Sequence, residues 1–164
     1  MTTRNWNILE QYPGYQPIED TSTVQNHPIG ARVKALHATY GEGEFIYCKG
    51  VANTVVGDAC TITVNTGATV RALAASRGLV GVAMSINVAN QYGWYQIFGT
   101  GVVKAGTVAN NGQVFSTATA GTVDDAVVAG IMITGAILRS ADGTPAAGFA
   151  LVSLIYPSLN GVPA

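Results

Sequence analysis

Charge is what this chain has least of. Charged residues fill 10% of its 164 positions, where an ordinary soluble domain holds about a quarter. Eight Lys and Arg against nine Asp and Glu leave a net charge of −1. No basic field exists to hold nucleic acid or an anionic membrane surface. Histidine is scarce as well: His27 and His37 stand alone, and a zinc site needs three or four clustered His, Cys or carboxylate ligands. Cys48 and Cys60 are the only thiols. In a cytosolic chain such a pair reads as reduced, small apolar side chains. A disulfide would require adjacent strands with facing Cβ atoms, which spacing alone leaves open. Long apolar runs are missing too. The longest, Ala126 to Leu138, falls short of the roughly 20 residues of a membrane helix. Residues 1–10 show no basic region followed by an apolar stretch, so no secretory signal is expected and synthesis is assigned to the cytosol.

What is present is apolar and small. Hydrophobic residues make up 48% of the chain, mostly Ala and Val, with Gly and Thr between them. A chain so short of charge, with no membrane span, is expected to hide much of its surface against other protein. That points to an assembly component before an enzyme. The length suits one domain with an appended arm and allows a sizeable core. Residues 1–28 form the arm, with Trp6, Tyr12, Tyr15 and Ile18 among Pro13, Gly14, Pro17 and Pro28. The prolines favour extended backbone before them. Neither a helical nor a strand period runs through this stretch, and its aromatics need a surface to lie on. Residues 29–164 form the domain.

Within the domain, short Val-, Ile- and Thr-rich runs broken by Gly, Asn and Asp predict strands over 31–37, 44–50, 60–64, 79–86, 92–98, 101–105, 112–117, 131–139 and 148–156. Gly99-Thr100-Gly101 marks a bend or bulge, and Asn110-Asn111-Gly112 and Asp142-Gly143 mark turns. One short helix is predicted over Val70–Arg77, capped by Gly78. The expected class is all-β: a small compact β-barrel or β-sandwich with an extended N-terminal arm and at most one short helix. In 131–139, alternation sets Ile131, Ile133, Gly135 and Ile137 on one face, with Met132, Thr134, Ala136 and Leu138 on the other. The run 148–156 is likewise apolar on both faces. Such strands are expected to be covered on both sides, by a second layer or a neighbouring subunit.

Catalytic patterns are absent from the sequence. Glu42 and Glu44 could act as paired carboxylates on one strand face, yet Gly41 and Gly43 favour a solvated turn. Asp124-Asp125 lacks the further oxygen ligands of a calcium loop and reads as turn initiation. Ser85 has no nucleophile-elbow context, and Gly99 to Lys104 lacks the phosphate-loop spacing. An enzyme would need a hidden pair such as Glu42 with Asp58 brought together by folding. The reading is therefore no enzyme and no cofactor. The run Tyr92-Gly93-Trp94-Tyr95-Gln96-Ile97-Phe98 carries binding character: Trp94, Gln96 and Phe98 would share a face with Tyr92 alongside, and Tyr95 and Ile97 would take the other. Ordinary strand packing is the competing account.

Several phrases resemble the head decoration, or capsid cement, proteins of tailed bacteriophages. They are Pro28-Ile29-Gly30, Tyr40 to Gly50 (YGEGEFIYCKG), Val80 to Met84 (VGVAM), Ala89 to Ile97 (ANQYGWYQI) and Ala118 to Ala126 (ATAGTVDDA). Their order carries the match, across about residues 28–157. The resemblance implies a compact β domain, often a homotrimer, on the outer surface of an icosahedral head, where it bridges neighbouring major capsid subunits. It brings no catalytic residues. The arm side chains Trp6, Tyr12, Tyr15 and Ile18 are then expected at a capsid or intersubunit interface, joined by Tyr40, Glu42, Glu44, Tyr92 and Trp94 of the domain. A trimeric tail-fibre, baseplate or receptor-binding module is the alternative, with Trp94 as a sugar platform.

Overall fold

The computed structural model describes residues 5–9, 14–127 and 130–160. Its strands are β1 (Trp6–Ile8), β2 (Arg32–His37), β3 (Gly41–Lys49), β4 (Ala59–Thr63), β5 (Ala68–Arg71), β6 (Gly78–Ala83), β7 (Tyr92–Lys104), β8 (Gln113–Ser116), β9 (Val123–Asp124), β10 (Met132–Leu138) and β11 (Phe149–Leu159). No helix occurs among the described residues. All pairings between these strands are antiparallel. They form one sheet in the order β1-β2-β3-β7-β6-β11-β10-β8-β9, with β4 and β5 branching from β6. The all-β class holds, but the sheet does not close into a barrel.

The long strand β7 organises the molecule. Its first half lies against β3, with Tyr47 opposite Trp94 and Phe45 opposite Gln96. Its second half pairs with β11 from Phe98–Ile155 to Lys104–Phe149. The handover falls at Gly99, whose φ of +93° suits glycine. A side chain there would collide with the Glu42 carbonyl of β3. Two predicted strands are thus one bent strand.

Period-2 alternation divides the core around β3 and β7. Phe45, Tyr47 and Trp94 join Trp6, Ile18, Val33 and Ala35 in an aromatic cluster. On the opposite side, Ile46, Cys48, Tyr95 and Ile97 pack with Cys60, Ile62 and Ala83. Both cysteines are free and buried. A third, aliphatic cluster includes Val80, Val103, Ile133, Leu138, Val152 and Leu154.

Three local expectations are corrected. The segment proposed as a helix begins inside β5, because Cys60 pairs with Arg71 and Thr61 with Val70; residues 72–77 are turns and loop. Pairing with β4 and an ion pair from Arg71 override weak helix propensity. Second, Gly41–Lys49 is a strand, so Glu42 and Glu44 sit on a sheet and not in a turn. Third, the alternation of β10 breaks at Gly135. There β10 advances from Thr134 to Ala136 while β11 retreats from Ser158 to Leu154. Positive φ at Gly135 and at Tyr156 accommodates this bulge. Ile131 and Ile133 are therefore buried together with Ala136 and Leu138, while Met132, Thr134 and Ile137 face outward.

Candidate functional site

The described arm lies on the domain and is pinned by one residue. Gln16 is buried, and every polar atom of its side chain is used. Its Nε2 donates to the carbonyls of Asp20 at 2.8 Å and Tyr92 at 3.0 Å. Its Oε1 accepts from the Tyr47 hydroxyl at 2.8 Å and from Asn26 Nδ2 at 3.0 Å. Its backbone N–H donates to His27 Nε2 at 3.0 Å, and its carbonyl accepts the Trp94 indole N–H at 2.9 Å. Ser22 and Tyr92 exchange backbone hydrogen bonds in an isolated bridge. Near the start of the chain, β1 adds an edge strand, with Trp6 opposite His37 and Ile8 opposite Ala35.

These contacts place most of the sequence-nominated residues. Trp6 and Ile18 are core residues, and Trp94 is 0% exposed. In this arrangement all three meet the chain's own domain, and Trp94 offers no sugar platform. Tyr15 stacks on His27, whose centroid lies 5.0 Å away, and Tyr92 stacks over Tyr47. Both are partly buried against the aromatic cluster. Tyr40 stacks on His37 at 4.4 Å. Tyr12 lies outside the described residues. Burial of the His27 ring among these aromatics pulls its pKa below the ordinary histidine value.

Glu42 and Glu44 belong to a different place. Across the β2–β3 pair, Lys34 reaches Glu42 at 3.3 Å and Arg32 reaches Glu44 at 3.5 Å. Glu44 also accepts the Tyr156 hydroxyl at 2.7 Å, which, as the leading cause, raises the phenol's pKa. Arg32 lies over the Tyr156 ring, 5.8 Å from its centroid. Phe98 packs beside the same ring at 5.6 Å. The register continues this surface: Phe98 opposes Ile155, and Ser153 opposes Ile137. Directly opposed residues share a sheet face.

The outcome is an apolar face with an ionic rim. Ile155 is 63% exposed, Tyr156 46% and Ile137 44%. They lie together on β10 and β11, and the Arg32–Glu44 and Lys34–Glu42 pairs border them through Tyr156 and Phe98. Sequence reasoning nominated Glu42 and Glu44, and named Phe98 only within the aromatic run, but missed Ile137, Ile155, Tyr156, Arg32 and Lys34. The signal that could have found them was the double-sided apolar pattern of 131–139 and 148–156. The fold covers one side of these strands with the aliphatic cluster and leaves the other open.

The fold gives Glu42 and Asp58 separate partners. Glu42 is held by Lys34, while Asp58 is buried between Arg71 and Lys104. Among the described residues, no three His, Cys, Asp or Glu side chains gather as metal ligands. In comparisons with known proteins, no family model, no curated protein and no solved structure matches this chain.

Proposed function

We propose that this chain is a structural virion protein of the decoration, or capsid cement, type. It docks on the outside of an icosahedral phage head, acts as a homotrimer and stabilises the shell by bridging major capsid subunits. The observation that carries this reading is the exposed apolar face of Ile137, Ile155 and Tyr156 with its ionic rim. On a chain with so few charges, it is suited to protein contact. The resemblance of residues 28–157 to decoration proteins supports the same class. Threefold assembly would engage several sites at once, so modest contacts per subunit give slow overall dissociation. The Gln16 network adds to this by holding the described arm in place, which lowers the ordering cost of docking. The receptor-binding alternative loses its proposed platform, because Trp94 is in the core.

The test pairs solution mass with particle binding. Light scattering should give a trimer mass for the full chain, and the chain should co-sediment with heads assembled without it. Ile137→Glu combined with Ile155→Glu should leave the unfolding midpoint nearly unchanged, since both side chains are exposed, while abolishing co-sedimentation. A wild-type chain that never binds heads overturns the proposal. Equal binding by the double variant overturns the assignment of this face.

A further inference from the structure

The described arm closes on the aromatic cluster partly through a titratable acceptor. His27 is partly buried, and its Nε2 accepts the Gln16 backbone N–H at 3.0 Å. The ring is therefore neutral, with its hydrogen on Nδ1. Tyr15 of the arm stacks on it at 5.0 Å, Tyr47 of β3 meets it at a near-right angle 5.0 Å away, and Trp94 of β7 lies at 5.3 Å. Tyr92 in turn stacks on Tyr47. Among the described residues no charged side chain pairs with His27. The Glu19 carboxylate of the arm is held by Asn5, and Asp20 is exposed. Tyr47, whose pKa burial raises, is neutral wherever a histidine titrates.

Charging the ring adds a hydrogen to Nε2. It lies in the ring plane and points at the Gln16 N–H, donor against donor. Cation–π attraction acts at a ring face and does not relieve that opposition. Burial already holds the His27 pKa below the ordinary value of 6.5.

The residue that depends on this hydrogen bond is the one that ties the arm down. Gln16 carries the Trp94 indole N–H on its carbonyl, and the Tyr47 hydroxyl and Asn26 on its Oε1. Asn26, next to His27 in the chain, also donates its backbone N–H to the Tyr47 hydroxyl at 3.3 Å. The segment is bounded by Gly14 and Gly30, both at positive φ, where backbone rotation costs least. We propose that His27 is a proton-operated latch: protonation at Nε2 expels the ring and opens residues 15–27 from the domain, uncovering Trp94 and Tyr47. Ile18 of the same segment is buried, so the closed form stays dominant and acid enlarges a minor open population. In the open arm His27 titrates as an ordinary histidine. The open-to-closed ratio is then level above pH 6.5 and rises as pH falls below it, by at most about tenfold per unit for one proton, until the closed form is itself protonated. The latch uses no residue of the apolar face assigned to docking, so the two proposals fail separately.

Hydrogen exchange by NMR on the full chain, corrected for the intrinsic effect of pH, tests the latch. The arm probes are the Trp94 indole N–H and the backbone N–H groups of Gln16 and Ser22. Below the unfolding range of urea they should exchange faster than N–H groups paired between β7 and β11, through an opening nearly insensitive to urea. From pH 7.5 to 5.0 that opening should rise by more than about twofold. In His27→Gln, whose amide oxygen accepts a hydrogen bond but does not titrate, it should stay level. The wild-type chain supplies a second check without any variant: the carbon-bound ring hydrogens of His27 should shift over the same pH range as the arm opens. Arm probes that share the rate and urea slope of the sheet overturn the proposal, because the arm then opens only with global unfolding. Arm exchange that is level in pH, an equal rise in His27→Gln, or a ring that titrates in a different range also overturns it.

Discussion

Replacing Asp58 with Ala tests how the branch of β4 and β5 is tied to the rest of the sheet. The Asp58 carboxylate is fully buried. Its Oδ2 accepts from Arg71 Nε at 2.7 Å and from the Val55 backbone N–H at 3.0 Å, and its Oδ1 meets Lys104 Nζ at 3.2 Å. Arg71 also donates to the Ala120 carbonyl at 2.9 Å. One carboxylate thereby joins β5, β7 and the turn before β4, with Arg71 extending the link to the loop before β9. Removing one partner from a buried ion pair costs about 3–5 kcal/mol. The Arg71 and Lys104 side chains are 21% and 28% exposed and recover some hydration, which favours the low end. The unpaired Val55 N–H adds about 1 kcal/mol. Together these give about 4 kcal/mol, equivalent to roughly 8–16 °C in Tm for a chain of this size. Urea unfolding followed by tryptophan fluorescence, with calorimetry beside it, reads both quantities. A loss below about 1 kcal/mol would refute the reasoning, because it would show the carboxylate to be effectively solvated.

Two further outcomes concern titratable groups, one partly buried and two fully buried. Protonating His27 would place a hydrogen on the Nε2 that accepts from Gln16. Burial lowers its folded pKa below 6.5, so the unfolded chain binds more protons in that window, and stability rises with pH across it. The contribution is present above pH 6.5 and is lost as pH falls through the folded pKa. Urea midpoints at pH 7.5 and 5.5 should therefore differ more in the wild type than in His27→Gln, and identical slopes would sink this account. Burial also pushes the Cys48 thiol up to about 12 and raises that of Cys60 further. Both thiols should resist an aromatic disulfide reagent at pH 8 in the native chain and react only as it unfolds; prompt labelling would contradict their packing.

The features legible in the sequence were those set by local periodicity and turn chemistry. Alternation in 92–98 correctly divided Trp94 and Tyr92 from Tyr95 and Ile97, because side chains of one strand must leave on opposite faces. The turn residues around Asn111 and Gly143, both at positive φ, and the bend at Gly99 announced themselves by residue type. The errors fell where a partner strand decides. Residues 70–71 look helical alone and become β5 only because β4 lies beside them. Trp6 to Ile8 carries no period of its own and becomes a strand by pairing with β2. The Gly135 bulge parts Ile137 from Ile131 and Ile133, with which alternation had grouped it, and turns it outward; this depends on how β11 runs past it.

The amino-acid sequence by itself determined an all-β chain, poor in charge, with strands apolar on both sides and no catalytic pattern. Composition and period are properties of the chain alone. Only the tertiary structure decided which apolar side stays uncovered, that Trp94 serves the core, and that the described arm is pinned through Gln16. It also left Gln96 Oε1 buried with no hydrogen-bond partner among the described residues. Each of these depends on contacts between residues far apart along the chain, such as Gln16 with Trp94 or Glu44 with Tyr156. No local pattern encodes such distances.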